Sequence, residues 1–332
     1  MSNTGTSVIF EGTGHYAPKR VVTNDDLAKI VDTSDEWIAT RSGIRERRIA
    51  DETETNTEMA TRAARAAMED AGVTAADIDL VIVGTCTPDS PLPAAAVHVQ
   101  RKLGIKNAPA FDVAAACSGF LYALDVADAM IRSGRYKRAL IIGVEKLSAF
   151  TDWTDRTTCV LFGDGAGAAV IAAHPEMTEG VIGTKLYTDG NACDLLYIQA
   201  GGSSRPASAE TVANREHFIR MRGKEVFKLA VTAMEDAAIE ICERHGVKPS
   251  DLKLVIPHQA NLRIIESIAA RMDLTKEQVY INVDRYGNTS AASIPIALDE
   301  ARKNNRIQSG DLVLLVAFGA GLTWASALIR CH

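Results

Sequence analysis

The sequence lacks the cysteine patterns of a metal site or a disulfide framework. Its six cysteines lie far apart, with no Cys-x-x-Cys pair and no cluster of cysteine and histidine. We therefore expect no bound metal, free thiols and a reducing cytoplasmic location. Most of these thiols are expected to be small buried apolar groups.

An excess of positive charge is also missing. The chain carries 36 basic and 42 acidic residues, which gives a net charge of −6. This balance argues against a nucleic-acid partner and against a polybasic membrane protein. No apolar stretch reaches the roughly 18 to 20 uncharged residues that a membrane span needs. The first residues show no basic region followed by an apolar run, so a secretory signal is not expected.

Short apolar runs alternate with longer helix-like segments, and apolar residues make up 47% of the 332 residues. This alternation predicts an α/β protein with mostly parallel strands, covered on both faces by helices. Strands are predicted at 7–12, 80–84, 109–113, 139–144, 167–172, 254–257, 279–283 and 312–318. Helices are predicted at 55–71, 119–133, 223–244, 262–271 and 293–303, with short ones at 25–30 and 34–40.

The two halves of the chain resemble each other. The segment AADIDLVIVG (75–84) is similar to PSDLKLVIP (249–257), and ALDVA (123–127) recurs as ALDEA (297–301). Two such similarities in the same order are consistent with an internal duplication, and the alternative is the ordinary resemblance between unrelated βα units. We predict an N-terminal half at 1–175 and a C-terminal half at 176–332 that share one core. The polar stretch 200–216 lies between the repeats and is expected to form a surface loop.

Cys117 is the first candidate for chemistry. In DVAAACSGFLYAL an apolar strand ends near Val113, and small residues lead to the cysteine just before a helix. Unpaired N–H groups at a helix N-terminus favour thiolate, and the flanking alanines leave room for a ligand. The alternative interpretation is a buried structural cysteine.

Three later segments supply possible partners. His258 follows an apolar strand in LVIPHQANLRII, where open α/β sheets bind their ligands. Asn288, in DRYGNTSAASIP, offers an amide donor if it points inward. The glycine-rich FGAGLTW (318–324) offers backbone N–H groups for an oxyanion. The alternatives are a structural histidine, a turn or helix-capping asparagine and a tight packing turn.

Taken together, these segments resemble the β-ketoacyl-acyl-carrier-protein synthase III family of the thiolase superfamily. The resemblance covers nearly the whole chain, and PHQANLRI together with GNTSAAS is its most specific part. The motifs are DTSDEWIATRSGIRERRI (32–49), FDVAAACSGFLYAL (111–124), DRTT (155–158), FGDGAGAAV (162–170), GKEVFK (223–228), PHQANLRII (257–265), GNTSAASIP (287–295) and FGAGLTW.

The resemblance implies a thiolase-like fold, with two duplicated βαβαβαββ halves in a layered αβαβα core, and a homodimer. It implies an acyltransferase that moves an acyl group from acyl-CoA to Cys117 and condenses it with malonyl-acyl-carrier protein. CO2 and CoA are released, fatty acid biosynthesis is initiated, and no cofactor is required. Cys117, His258 and Asn288 form the implied catalytic triad, and the N–H groups of Cys117 and Ala320 form the oxyanion hole.

Further binding roles are implied by the same resemblance. The residues expected to bind CoA or substrate are Thr33, Trp37, Arg41, Arg156, Gly223, Phe227 and Asn261. Lys228 and Arg263 are expected to dock the acidic carrier protein. Two departures stand out: Ala320 replaces a glycine that many members have, and Leu92 occupies a position where some members carry an aromatic residue. Because the family's equivalent loop floors the partner's acyl pocket, Leu92 predicts a pocket deeper than one for acetyl alone.

Three alternatives remain open from the sequence. The same fold serves condensing or acyl-transfer enzymes of specialised polyketide and other secondary-metabolite pathways. A papain-like hydrolase also uses Cys-His-Asn, but CSGFL does not match its cysteine motif. A non-catalytic partner subunit would lack the nucleophile, whereas this chain has all three residues.

Overall fold

The computed structural model describes residues 6–332, in which strands and helices alternate. The strands are β1 (Ser7–Tyr16), β2 (Val21–Thr23), β3 (Glu46–Arg48), β4 (Leu80–Gly84), β5 (Ala110–Val113), β6 (Arg138–Glu145), β7 (Gly165–His174), β8 (Gly180–Thr188), β9 (Leu196–Ile198), β10 (Ile219–Met221), β11 (Leu254–Pro257), β12 (Leu312–Gly319) and β13 (Thr323–Arg330). The helices are α1 (Asn24–Leu27), α2 (Asp35–Ser42), α3 (Asn56–Asp70), α4 (Ala95–Leu103), α5 (Gly119–Arg132), α6 (Ala209–Ala213), α7 (Gly223–Arg244), α8 (Leu262–Arg271), α9 (Val283–Tyr286) and α10 (Ser293–Lys303).

Two mixed sheets carry the architecture. The first has the order β1-β7-β6-β4-β5, and the second has the order β11-β12-β13-β8. In both sheets a parallel pair, β4 with β6 or β11 with β12, is followed by antiparallel neighbours. The prediction of mostly parallel strands is therefore wrong, because β12 and β13 are joined by a tight turn that reverses the chain.

Helices cover both sheets and separate them. α3 packs on the first sheet with α4 beside it, and α7 packs on the second sheet with α8 beside it. α5 and α10 lie between the sheets, where Phe120, Leu124 and Leu298 belong to a core that draws on both. The layers therefore follow the order αβαβα, as the sequence led us to expect. None of the helices in residues 6–332 has the length and apolar character needed to cross a bilayer.

The predicted strand at 279–283 is wrong. Only Val279 pairs, through one parallel bridge to Val255, and the helix α9 begins at Val283. The side chain of Gln259 explains the break, because its Oε1 accepts from the N–H groups of Asn282 (2.9 Å) and Val283 (3.2 Å). A side-chain amide thus replaces the neighbouring strand as hydrogen-bond partner.

Most other predicted elements are confirmed to within a few residues, and β11, α7, α8 and α10 have the predicted ends. The longer elements that were not predicted are α4, β8 and β13, and several short ones were not predicted either, including α6 within the expected loop 200–216. The first sheet uses residues 7–174 and the second uses 180–330, so the chain passes from one sheet to the other near the predicted boundary at 175.

Candidate active site

Cys117 lies in a sharp turn between β5 and α5. Ala116 has a positive φ of 46°, and a short 3₁₀ turn, Ala116–Ser118, leads directly into α5. Two hydrogen bonds tie this turn to the start of β13: Thr323 Oγ1 donates to the carbonyl of Ala115 (2.8 Å), and Ser118 Oγ donates to the carbonyl of Thr323 (3.1 Å). The backbone position of Cys117 is thereby fixed from both sheets.

His258 follows β11 and extends its ladder, because its N–H donates to the carbonyl of Val316 (2.8 Å). Its Nδ1 lies 2.6 Å from the hydroxyl of Ser293 at the start of α10. The hydroxyl can either donate or accept, so it is compatible with both tautomers of the imidazole. Nδ1 is thus occupied by Ser293, which makes Nε2 the nitrogen available to a substrate.

Asn288 is held in a loop between α9 and α10. Its N–H donates to the carbonyl of Leu161 (2.8 Å), and its carbonyl accepts from the N–H of Gly163 (2.9 Å). The side-chain Oδ1 accepts from the N–H of Ser290 (2.8 Å). This bond fixes the amide so that Nδ2, which carries two N–H donors, is the end available for a ligand.

The three side chains line one cavity of about 100 Å³. Gly223, Phe227 and Asn261 line the same cavity. Cys117 also borders a second cavity of about 190 Å³, which contains Ala320, Ser290 and Cys86. The sulfur therefore stands between two spaces, one leading past His258 and Asn288 and the other lined largely by apolar residues.

Burial controls the protonation of Cys117 and His258. Burial is the largest cause of a pKa of about 12 at Cys117; a hydrogen bond with Ser290 lowers this pKa, and the charge of nearby Glu145 raises it. Burial lowers the pKa of His258 to about 3. The expectation that the helix N-terminus would favour thiolate is wrong, because desolvation has the larger effect on the pKa of Cys117. At neutral pH the structure holds a thiol beside a neutral imidazole.

Comparison with known proteins identifies the family. Models of 3-oxoacyl-[acyl-carrier-protein] synthase III match residues 111–190, and those of its C-terminal part match 242–331. A curated beta-ketoacyl-[acyl-carrier-protein] synthase III from Caldanaerobacter subterraneus subsp. tengcongensis is 53% identical over 319 residues, 96% of each chain. The chain belongs to the 3-oxoacyl-[acyl-carrier-protein] synthase III family. It is thus an acyltransferase of the condensing type.

Solved structures of relatives agree with the fold. The crystal structure of 3-oxoacyl-[acyl-carrier-protein] synthase III from Aquifex aeolicus VF5 has a TM-score of 0.89 and 51% identity, covering 98% of this chain and 99% of that one. The priming β-ketosynthase of the R1128 polyketide pathway has a TM-score of 0.90 and 36% identity, covering 98% and 96%. The thiolase-like fold is therefore confirmed.

A cluster formed by one tryptophan and two arginines lies on α2 and on the segment between β6 and β7. The Arg41 and Arg156 guanidinium carbons lie 4.5 and 5.4 Å from the ring centroid of Trp37. Asn261 Nδ2 donates to the carbonyl of Arg41 (3.0 Å), which links this cluster to the cavity of Cys117. Thr33 lies on the loop before α2, and its hydroxyl oxygen is buried with no partner among the described residues. The structure thus brings Trp37, Arg41 and Arg156 together, beside the cavity of Cys117.

The candidates for carrier-protein docking lie near the same cavity. Lys228 on α7 and Arg263 on α8 are both exposed, and the Arg263 guanidinium carbon lies 5.5 Å from the ring centroid of Phe227. Leu92, the residue assigned to the acyl pocket, lies away from the cavities beside Cys117. It is 84% exposed and lines neither of them, so within one subunit it is not brought to the site.

The sequence analysis missed Glu145, Ser290 and Cys86. Glu145 ends β6 with its side chain fully buried, and Cys86 and Ser290 line the second cavity. A signal was present, because the acidic residue in ALIIGVEK ends an apolar strand at the sheet edge where α/β proteins place their sites. The contact between Glu145 and Ser290 joins residues 145 positions apart and required the fold.

Proposed function

We propose that this synthase III loads an acyl group from acyl-CoA onto Cys117 and condenses it with malonyl-acyl-carrier protein, which initiates fatty acid biosynthesis. The observation that carries the proposal is the position of the Cys117 sulfur. It lies between a cavity that contains His258 and Asn288 and a second, mainly apolar cavity that can receive an acyl chain. A thioester must reach this sulfur from one side and leave its acyl chain on the other.

Acyl transfer begins from the protonated thiol. The sulfur attacks the thioester carbonyl, its proton leaves as the new bond forms, and the expelled CoA sulfur is protonated. Nε2 of neutral His258 can accept this proton in the tautomer whose Nδ1–H donates to Ser293. Because burial lowers the pKa of His258, the imidazolium is disfavoured and passes the proton on to the CoA sulfur. The N–H groups of Cys117 and Ala320 are assigned to the oxyanion. Both residues border the second cavity, and Thr323 donates to the carbonyl of Ala320 (3.2 Å).

Condensation then uses His258 and Asn288 as donors. When malonyl thioester loses CO2, negative charge develops on the thioester oxygen. Nε2–H of His258 and Nδ2–H of Asn288 are assigned to that oxygen. With Ser293 donating to Nδ1, the imidazole proton stays on Nε2. The carbanion attacks the acyl-cysteine, Cys117 leaves as thiolate and regains a proton, and 3-oxoacyl-carrier protein departs.

The entrance residues are assigned to the CoA moiety. We place the adenine on Trp37 between the guanidinium groups of Arg41 and Arg156, with Thr33 beside it. Stacking of this kind contributes roughly 0.5 to 2 kcal/mol. Pantetheine is assigned to the cavity lined by Gly223, Phe227 and Asn261, and the acidic carrier protein to exposed Lys228 and Arg263.

The proposed reaction requires no cofactor, because the thioester activates the primer and loss of CO2 generates the carbanion. We further propose a homodimer, in which the partner's Leu92 loop closes the acyl cavity, and a cytoplasmic location. The six cysteines are all free thiols, which agrees with a reducing compartment.

Mass spectrometry of the intact protein after incubation with a panel of acyl-CoA thioesters tests this assignment. We expect one acyl adduct, located on the Cys117 peptide, with release of one CoA thiol. Cys117→Ser should carry no thioester adduct, whereas the matched variant Cys193→Ser, which replaces an exposed cysteine, should load normally. Loading of Cys117→Ser, or no loading of folded wild-type protein by any acyl-CoA, would contradict the proposal.

A second candidate keeps the loading step but serves a specialised pathway. The 36% identity to a priming β-ketosynthase of polyketide biosynthesis favours considering it. The two functions differ in the acceptor. Formation of a 3-oxoacyl product on the carrier protein of fatty acid biosynthesis supports the first function, and product formation only on a polyketide carrier protein supports the second.

A further inference from the structure

The carboxyl group of Glu145 is buried beside the active site and has only neutral partners. Thr87 Oγ1 donates to its Oε2 (2.5 Å), Cys86 N donates to its Oε1 (3.1 Å), and Thr85 Oγ1 approaches Oε2 at 3.3 Å. The side chain is fully buried, and burial raises the pKa of Glu145 to about 7. Both protonation states are therefore accessible near neutral pH.

No described cation compensates this carboxylate. The neighbouring Lys146 turns away, because its Nζ donates to the carbonyl groups of Asp51 (2.6 Å) and Glu54 (3.2 Å). The titratable groups that face Glu145 from the packed elements are the thiols of Cys86, after β4, and Cys117, before α5. Any charge on Glu145 is therefore felt mainly by these two sulfur atoms.

Ser290 connects Glu145 to Cys117. Its hydroxyl donates to Glu145 Oε1 (3.2 Å), and Ser290 lines the second cavity together with Cys117, whose pKa it lowers by hydrogen bonding. Ser290 has a positive φ of 50°, and its N–H donates to Asn288 Oδ1 (2.8 Å), so its position is tied to the candidate triad. One hydroxyl thus lies between a buried carboxyl and the candidate nucleophile.

We propose that Glu145, acting through Ser290, keeps the sulfur of Cys117 protonated while its carboxyl is ionised, and so is a positioning residue that sets the pH range of acyl loading. The inference rests on the proposed role of Cys117. An ionised Glu145 accepts the proton of the Ser290 hydroxyl, which leaves a lone pair of the Ser290 oxygen to accept from the thiol. When Glu145 is protonated, the opposing charge disappears and the hydroxyl can turn to donate to the sulfur.

The proposal predicts opposite effects of two substitutions on the reactivity of Cys117. Glu145→Gln removes the charge at every pH, so the pKa of Cys117 should fall. Ser290→Ala removes the hydroxyl that can donate to the sulfur once Glu145 is protonated, so below the pKa of Glu145 the pKa of Cys117 should be higher in this variant than in wild type. Well below the pKa, alkylation by iodoacetamide is proportional to the thiolate fraction, and one unit corresponds to a tenfold change in rate. We expect Glu145→Gln to react about tenfold faster than wild type where wild-type Glu145 is ionised.

The pH profile separates this effect from a structural one. Because Glu145 titrates near pH 7, the ratio of the Glu145→Gln rate to the wild-type rate should be large above that pH and approach one below it. The rate is measured by mass spectrometry of the Cys117 peptide, which separates it from Cys86. Asp164→Asn is the control, because Asp164 is equally buried and accepts from Ser148 Oγ (2.5 Å) but lines neither cavity.

The outcomes are distinct. A faster, pH-dependent reaction of Glu145→Gln, together with a slower reaction of Ser290→Ala below the pKa of Glu145, supports the proposal. A pH-independent ratio, shifts of both variants in the same direction, or an equal change in Asp164→Asn would overturn it. Acyl-CoA loading of wild type is measured in parallel. If loading of Cys117 is normal but the Glu145→Gln ratio stays at one, only this inference fails; if Cys117 is never loaded, the proposed function itself fails.

Discussion

The protonation of Cys117 and His258 is set by desolvation more than by their partners. Burial is the largest cause of both pKa shifts, and it moves them apart: the thiol pKa rises to about 12 and the imidazole pKa falls to about 3. Both groups are consequently neutral across the physiological range. A neutral pair suits an enzyme that must bind a thioester first and develop charge only in the transition state.

Substitution of the two donors tests how the negative charge of decarboxylation is stabilised. We expect His258→Ala and Asn288→Ala each to lower release of labelled CO2 from malonyl-carrier protein about 100-fold or more, the usual cost of one oxyanion donor. Acyl loading should fall much less, because water can replace the imidazole as proton acceptor but cannot replace an oriented donor.

Asn288→Asp is the matched control, because it keeps the size and shape of the side chain and removes only its N–H donors. An aspartate can still accept from the Ser290 N–H, but it has no N–H group to offer the substrate. It should therefore be as impaired in decarboxylation as Asn288→Ala. Normal CO2 release in both alanine variants would contradict the assigned roles.

Individual residues differ in how far the sequence could predict their position. Cys117, His258 and Asn288 were identified from motifs, and the fold places them around one cavity. Ser293 and Glu145 were not, because their importance depends on contacts with residues 35 and 145 positions away. The protonation of Cys117 was predicted incorrectly, since the helix terminus is visible in the sequence and the depth of burial is not.

At the level of elements, the site depends on close contact between the end of β12 and the turn that carries Cys117. A Cβ atom on Gly319 would lie 2.6 Å from the backbone nitrogen of Cys117. This is closer than a carbon and a nitrogen atom can approach. The Cβ would be fixed to one backbone segment and the nitrogen belongs to another, so neither atom can move aside easily. A glycine at the end of this strand is what allows the two segments to meet.

Gly319→Ala should therefore separate Cys117 from the FGAG turn. We expect kcat to fall about 100-fold, since a displacement of about 1 Å at a catalytic group has that effect, and overpacking to lower stability by about 1 to 3 kcal/mol. Steady-state kinetics and thermal unfolding measure both. Gly202→Ala, where a Cβ would meet nothing within 4 Å, should change neither. Wild-type activity in Gly319→Ala would show that the close contact is dispensable.

Three of the elements that were not predicted have different physical causes. β8 has a mixed pattern of partly buried residues, and α4 starts after a proline-rich loop without a side-chain cap, so its beginning is not marked in the sequence. β13 directly follows the FGAG turn, and its first residues belong to the glycine-rich segment 318–324 that was predicted as a turn. The strand predicted at 279–283 had the right composition, but a single glutamine side chain took over its hydrogen bonds.

The whole molecule consists of two similar halves whose central helices, α5 and α10, pack between the sheets. Each half delivers its functional residues near the start of such a helix: Cys117 precedes α5, and Asn288 and Ser290 precede α10. His258 follows β11 in the second half, and Cys86 follows β4, the corresponding strand of the first half. The site is therefore formed where the two halves meet, and the duplication seen in the sequence explains why its parts lie so far apart along the chain.

The proposed role of Leu92 involves two subunits. Leu92 is 84% exposed and lines neither cavity of its own chain, so we propose that its effect on primer length acts through a partner subunit. We expect wild-type protein to accept butyryl as well as acetyl primers, and Leu92→Ala to shift the preference toward octanoyl, because a smaller side chain deepens the proposed pocket. Strict acetyl preference that is unchanged in Leu92→Ala would refute this.

Mixed dimers decide which subunit the residue serves. In a dimer of one Leu92→Ala chain and one Cys117→Ser chain, purified through two different tags, the only functional sulfur belongs to the Leu92→Ala chain. If Leu92 closes the pocket of its partner, that sulfur faces an intact leucine, and the mixed dimer should show the wild-type ratio of acetyl to octanoyl rates. If Leu92 acts within its own subunit, the mixed dimer should show the ratio of the Leu92→Ala homodimer, and the proposed exchange of pocket residues between subunits would be wrong.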